Sequence, residues 1–391
     1  MNRIQRLRRD QSGMSLIFIG LGMMAFVAAS MLAIDVGMLM TARSQAQNSA
    51  DSGALAGATA LLYDSYTDRS ASGPAVTSAI RASQTNNVMS GQVSVTPADV
   101  QFLMGPTTGQ MDRVKVSVRR TASRGNPVAT MIARYFGMAN TDIGATATAE
   151  AAPANAMSCV KPFTIPDKWR EVGNPPWNSM SSTYDAYDNK GQPLPASKAD
   201  VYVPANQTGY TGYTLNDVGT PLTIRAGTGN QINPSMYFSL AMTNDTGGSD
   251  YRNNIMQCNK THYHWGETEV LEPGNMMGPT VQGITDLIAQ DPGAHWVQSA
   301  GPKGQVQNSQ GQMITTSPRI FPIPLYDPAY YDAGKRNGRT ADLKTANWIC
   351  FFADHVSSND IVGIIVPCRG EYDKNGPAPN NASPRAIRLV Q

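Results

Sequence analysis

The chain has 391 residues, 41% hydrophobic and 15% charged, enough to bury a core in two or three domains and unlike a disordered or fibrous composition. Its 31 basic and 29 acidic side chains are unevenly placed: Arg3, Arg6, Arg8 and Arg9 stand against Asp10 at the start, which leaves 27 against 28 for the rest. A bulk so near neutral has no broad basic face, which argues against nucleic acid as a partner.

Met14 to Ile34 is a run of 21 residues without a charge. As a helix it is roughly 31 Å long, the thickness of a bilayer's hydrocarbon core. A helix satisfies its own backbone groups, which lipid requires. Arginines immediately before a span favour the cytoplasmic side, so the bulk is expected outside the inner membrane, periplasmic or extracellular. A cleaved signal peptide is the alternative, but its apolar stretch runs only about 7–15 residues. Here apolar residues resume beyond Asp35 at Val36, Met38, Leu39 and Met40. An ionised carboxylate is costly deep in lipid, so Asp35 belongs at the outer interface, either as a contact to a partner subunit or as a marker of the membrane edge.

The helical pattern continues past the membrane. Ala25, Ala29, Ala33 and Gly37 recur every fourth residue, and Ala42, Ala46, Ala50, Ala54 and Ala58 follow at the same spacing. Gly53 and Gly57 add a GxxxG step, and the first proline is Pro74. The pattern predicts a helix, or two nearly continuous ones, over 12–62. Small residues at this spacing let a second helix approach closely, although alanine is also simply a good helix former.

These residues carry a resemblance. The basic start, Gly13, Ala33-Ile34-Asp35-Val36-Gly37 and the run Gln47-Asn48-Ser49-Ala50-Asp51-Ser52-Gly53-Ala54-Leu55-Ala56-Gly57-Ala58 resemble the N-terminal segment of TadG/TadE-like proteins of Flp (Tad) pilus assembly. The motif positions are Asp35, Gly37, Asn48, Asp51, Ala54, Leu55, Ala56 and Gly57. A weaker likeness runs to about residue 152, through Val114-Lys115-Val116-Ser117-Val118, Phe136-Gly137 and Ala145 to Glu150. Pro162 to Trp169 and Glu272 to Thr280 look similar to the outer region of longer members. The resemblance implies a membrane-anchored structural component, with lipid, other Tad membrane proteins and pilin-like subunits as partners and no cofactor. Pilin-type relatives carry a glutamate five residues after the cleavage glycine. That position is Phe18 here, which argues against processing after Gly13 and against a major fibre subunit. No Asp-x-Ser-x-Ser sequence follows an expected buried strand, as the metal site of von Willebrand A modules requires.

Beyond the long helix the pattern predicts a small α+β unit over 63–152. It has a short helix over 73–86, strands at Val93/Val95 and at Val114/Val116/Val118, a helix over 126–136 capped by Asn126 and stopped by Gly137, and a strand over 143–149. Residues 153–158 are expected to be a linker. The stretch 159–391 is expected to be one mostly-β domain with long loops, with strands over 200–203, 235–240, 319–325, 348–353, 361–366 and 386–390 and one helix over 279–290. The whole is an α+β chain: a basic stub and long helix over 1–62, then the two folded units.

Cys159, Cys258, Cys350 and Cys368 all fall on the expected outer side. An even number there favours two disulfides over buried thiols, and four cysteines allow three connectivities. Cys350 and Cys368 flank a probable hairpin, which makes their pairing natural and leaves Cys159 for Cys258. The spacing offers no CxxC pair for zinc.

Chemistry is thinly represented. In Thr261-His262-Tyr263-His264-Trp265-Gly266-Glu267-Thr268-Glu269 an extended backbone puts His262 and His264 on one side, with the spacing His-x-His-x4-Glu. With a carboxylate they could bind a metal, and the spacing is similar to the first metal motif of cupins, but its flanking glycines are missing and a polar loop is the simpler reading. Asp185, Asp188, Asn189 and Gly191 depart from calcium-loop spacing. Tyr184, Tyr187, Tyr326, Tyr330 and Tyr331 suit loop anchors or a contact surface. No nucleophile elbow, P-loop or HExxH occurs. The expectation is therefore a non-enzymatic, membrane-anchored component of Tad/Flp-type pilus assembly. The alternatives are a minor pilin or tip adhesin released to the surface, and a membrane-tethered metalloenzyme using His262 and His264.

Overall fold

The computed structural model describes residues 12–106, 108–173, 176–227, 231–242, 247–336, 342–377, 379–381 and 383–390; the four N-terminal arginines lie outside them. A single helix, α1 (Ser12–Tyr63), runs 52 residues, about 78 Å at 1.5 Å per residue. No glycine or proline interrupts its Ala-rich outer half except Gly53 and Gly57, where another element comes close. Pro74, with no amide to leave unpaired, opens α2 (Pro74–Thr85) behind Gly73. Its Ala75, Val76, Ala79 and Ser83 are buried, one stripe of small residues laid against α1.

On the other side of α1 lies an antiparallel sheet in the order β19 (Arg385–Val390), β7 (Ile143–Pro153), β4 (Arg113–Arg120), β3 (Val100–Leu103). Val114, Val116 and Val118 alternate inward along β4, as their period requires, and form one core with Ala42 to Ala58 of the helix. Glu150 of β7 ties the sheet across three strands. It is buried, with Arg113 of β4 at 2.8 Å and Arg388 of β19 at 2.6 Å. Two small hairpins accompany this unit: β1 (Asn87–Val88) with β2 (Gly91–Gln92), and β5 (Val128–Ala129) with β6 (Asn140–Thr141).

The remaining strands build a barrel. β16 (Ile320–Tyr326), β17 (Leu343–Ser357), β18 (Asp360–Val366), β10 (Pro221–Ala226), β11 (Met236–Ser239) and β9 (Phe163–Pro166) pair in that order. β9 then pairs back to β16, so the ring closes with no free edge among the six. Phe163, Ile165, Leu222, Ile224, Phe321, Ile323, Ile349 and Phe351 fill it. α3 (Gly248–Met256) and α4 (Met277–Ala289) add Ile255, Ile284 and Leu287 to that core. β13 (Thr268–Glu269) extends the wall beside β17, β14 (His295–Val297) pairs with β15 (Gln305–Gln307), and α5 (Pro328–Arg336) follows β16. The architecture is a mixed α+β one with a β-rich C-terminal region.

Four expectations change. The segment 126–136 is no helix. Asn126 spends its side chain on the Thr121 amide (3.2 Å) and the Gln92 carbonyl (3.3 Å) instead of capping, and only a 3-10 turn forms at Ala133–Phe136, ended by Gly137 at φ +88°. The segment 153–158 is no linker. β7 runs through Pro153, β8 (Ala156–Met157) pairs with β12 (Tyr263–His264), and buried Asn155 holds the Asp373 backbone at 2.7 and 2.8 Å. The strands expected at 200–203 and at Val93/Val95 are each a single bridge, between Val201 and Arg170 and between Ser94 and Arg119. Finally, 159–391 does not stand apart: its last strand, β19, leaves the barrel and completes the sheet beneath α1.

Candidate functional site

The residues singled out in the sequence lie along α1, and the structure divides them at Asp35. Below it, from Met14 to Ile34, the helix is long and apolar enough to cross a membrane, and none of its most apolar window is buried in the fold. Ala25, Ala29, Ala33 and Gly37 are exposed along this half and its edge, and a Cβ placed on Gly37 would meet nothing. Above it, Ala46, Ala50, Ala54 and Ala58 are buried. A Cβ on Gly53 would lie 2.0 Å from Ser83 Oγ and 3.0 Å from the Ala79 carbonyl oxygen; on Gly57 it would lie 2.8 Å from Val114 Cγ1. The GxxxG step thus admits α2 of the same chain, and Ser49 donates to the Ser83 carbonyl at 2.7 Å to hold it there. The outer part of the small-residue face is filled from within and is closed to a separate helix.

Asp35 is buried at 5% exposure. Its carboxylate accepts the backbone amides of Met131 (2.9 Å), Ile132 (3.1 Å) and Ala133 (2.5 Å). Burial works against its charge, but the amides of Ala133, Met131 and Ile132 together outweigh that and hold the carboxyl below the usual range. The anchor is intramolecular: it ties the β5–β6 hairpin to the helix one residue past the uncharged apolar run. The sequence marks Asp35 but not its partners, which lie 96 to 98 residues away.

Of the other motif positions, Asp51 accepts from Gln47 Nε2 at 2.8 Å, Asn48 accepts Ser52 Oγ on its carbonyl at 2.8 Å, and Ala56 is half-buried. Leu55, with Thr59 and Tyr63, faces a cavity of about 680 Å³ lined across from α1 by Phe321 of β16, Arg369 and Ile387 of β19.

Both cysteine pairs stand at disulfide distance: Cys159 and Cys258 with Cα atoms 4.3 Å apart, Cys350 and Cys368 with 5.9 Å. His262 and His264 each find one acid rather than each other. His262 Nδ1 is 2.6 Å from Glu371 and His264 Nδ1 is 3.7 Å from Asp373, two surface pairs between β12 and the 371–373 stretch. Among the described residues no three His, Cys, Asp or Glu side chains converge as a metal site would need. Tyr326 and Tyr331 stack on Phe238 beside the barrel, and Tyr184 packs on Trp169, as anchors of the loops around them. Asp188 closes its own turn through the amides of Lys190 and Gln192, both at 2.8 Å.

No curated protein and no solved structure matches the chain. Residues 13–60 match the family model described as "Putative Flp pilus-assembly TadE/G-like". That match takes in the bare apolar run, Asp35 and the covered small-residue face, and stops three residues before α1 ends. Over residues 13–60, then, the long N-terminal helix is similar to the TadE/G-like Flp pilus-assembly segment.

Proposed function

We propose that the chain is a membrane-anchored, non-enzymatic component of Tad/Flp-type pilus assembly, with its N-terminus in the cytoplasm and its folded bulk on the outer side of the inner membrane. The observation that carries the reading is the break at Asp35: below it the helix is apolar and bare, and above it the helix is packed. Left in water, that bare run would expose an apolar surface far beyond what soluble monomers show. The arginines before the span set the orientation. Both cysteine pairs lie beyond the span, where an envelope compartment would oxidise them. Ala25, Ala29, Ala33 and Gly37 form the face on which a helix of another pilus-assembly protein or a pilin-like subunit would pack, since small side chains permit close backbone approach in lipid.

The test is to fractionate cells expressing the full chain, extract the membranes under mild detergent and identify what accompanies it. The chain should resist alkaline extraction, a reporter on its last residues should read as outside, and Tad components should be recovered with it. A freely soluble chain or a cytoplasmic reporter would sink the proposal.

A further inference from the structure

Contacts along α1 place the folded bulk by height. Gly57 lies against Val114 of β4, and Gln47 Nε2 donates to the Thr146 carbonyl of β7 at 3.2 Å. Asp35 holds Met131 to Ala133. At 1.5 Å per residue Asp35 is about 18 Å below Gln47 and about 33 Å below Gly57. The tip of the β5–β6 hairpin, residues 130–139, thus reaches lower along α1 than either of those sheet contacts. Met31, one turn below Asp35 and inside the apolar run, is half-buried, unlike the exposed Met23 and Met24 farther down.

The tip carries large apolar side chains facing outward: Met131 is 57% exposed, Tyr135 74%, Phe136 72% and Met138 63%. They surround Arg134, whose guanidinium lies 4.9 Å from the Tyr135 ring centroid and donates to its hydroxyl at 3.0 Å. Among the described residues no carboxylate pairs with Arg134. The Gly137 turn and the Thr130 hydroxyl bonded to the Met138 carbonyl (2.5 Å) fix the tip's shape. Aromatic rings, flexible thioethers and one cation at a membrane edge are the composition of an interfacial anchor, with ring bodies toward acyl chains and polar tips toward headgroups.

We propose that the 130–139 tip is a second membrane contact, seated in the headgroup–acyl boundary of the leaflet from which α1 emerges, with Tyr135, Phe136, Met131 and Met138 toward the acyl chains and Arg134 toward lipid phosphate. This rests on the reading of α1 as a span. Asp35 is then the joint that sets the height of the tip against the helix. Two contacts on one rigid body fix the tilt and rotation of the outer domain over the bilayer, which a lone helix leaves free.

The full chain is reconstituted in phosphatidylcholine–phosphatidylglycerol vesicles with a fluorophore on a cysteine introduced by Phe136→Cys, Phe26→Cys or Met104→Cys, and lipids spin-labelled at a shallow chain position are added. The Phe26 and Phe136 labels should lose most of their fluorescence and the Met104 label, on the far end of the sheet, should keep it. Quenching at Phe26 without quenching at Phe136 overturns the inference and leaves the anchor standing. No quenching at Phe26 overturns the anchor and the inference together. A Phe136 label shielded from an aqueous quencher yet untouched by the lipid spin label would assign the tip to a protein partner and overturn the lipid assignment.

Discussion

The two halves of α1 share one repeat of small residues and meet opposite fates. From Ala46 to Ala58 the face is buried under α2 and the β-sheet, with Gly53 and Gly57 admitting the neighbours. From Ala25 to Gly37 the same spacing lies bare. A stripe of small residues therefore states only that something can come close. Whether the chain or another molecule supplies it depends on what the rest of the chain can reach, and among the described residues this chain covers the small-residue face only above Asp35.

If that contrast holds, stability should depend most on the outer region and least on the bare half. Removing the long-range cysteine pair by Cys159→Ser with Cys258→Ser opens a loop of 99 residues and should cost about 4–5 kcal/mol in the chain-entropy model. Denaturant unfolding of the detergent-solubilised chain reads this, while membrane retention should not change. A loss of retention would mean that the outer fold, not the helix, holds the chain in the membrane.

Lys161 gives the next effect. Its amino group is buried at the start of the barrel, where it donates to the Ile255 and Gln257 carbonyls, and burial pushes its pKa down to about 7 from 10.5. Between those values the unfolded chain binds the extra proton, so stability rises with pH across the window, by up to about 1.4 kcal/mol per pH unit. Lys161→Met should flatten that rise in melting temperature between pH 7.5 and 9.5. An unchanged slope would show that other groups cause it.

Smaller again is the covered half of the helix. Gly53→Leu drives a side chain into Ser83 and the Ala79 carbonyl and should destabilise by about 1–3 kcal/mol. At the boundary, Asp35→Asn leaves a poorer acceptor for the amides of Met131, Ile132 and Ala133, and their hydrogen exchange should quicken while the sheet stays protected. Because Asp35 titrates below the usual range, the tie in the wild-type chain persists through neutral pH and is lost only as pH falls through that lowered value. The smallest expected effect on stability is that of Ala29→Leu, about zero for the isolated chain, since Ala29 is exposed. Its readout is reduced recovery of companion proteins from membranes. A destabilised chain with undiminished companions would reverse the comparison.

Much of the fold was legible where a period is local. α1, α2, β4 and the β17–β18 hairpin each announce themselves within a dozen residues, because a helix repeats every 3.6 and a strand every 2. The β5–β6 hairpin was not legible. Pro127 and the alanines read as a helix start, whereas the Asn126 side chain is taken by Thr121 and Gln92 and the amides of Met131 to Ala133, midway along the expected helix, go to Asp35. Asp35 was marked as a boundary residue, but its role as a joint needs a partner about a hundred residues away. The acids facing His262 and His264 were invisible for the same reason, since Glu371 and Asp373 come from the far end of the chain.

What the sequence determined by itself is whatever depends on near neighbours: the apolar run of bilayer length, the charge placed before it, the small-residue stripe and the TadE/G-like motif written along it. What only the tertiary structure decided is closure. β9 pairs in parallel with β16, far along the chain, β10 runs parallel to its successor β11 where a hairpin would run antiparallel, and β19 leaves the barrel to finish the sheet under α1. The physical reason is that a strand's alternation says which side faces a core but not whose core it is, so the choice among several apolar faces is settled only when all of them pack at once.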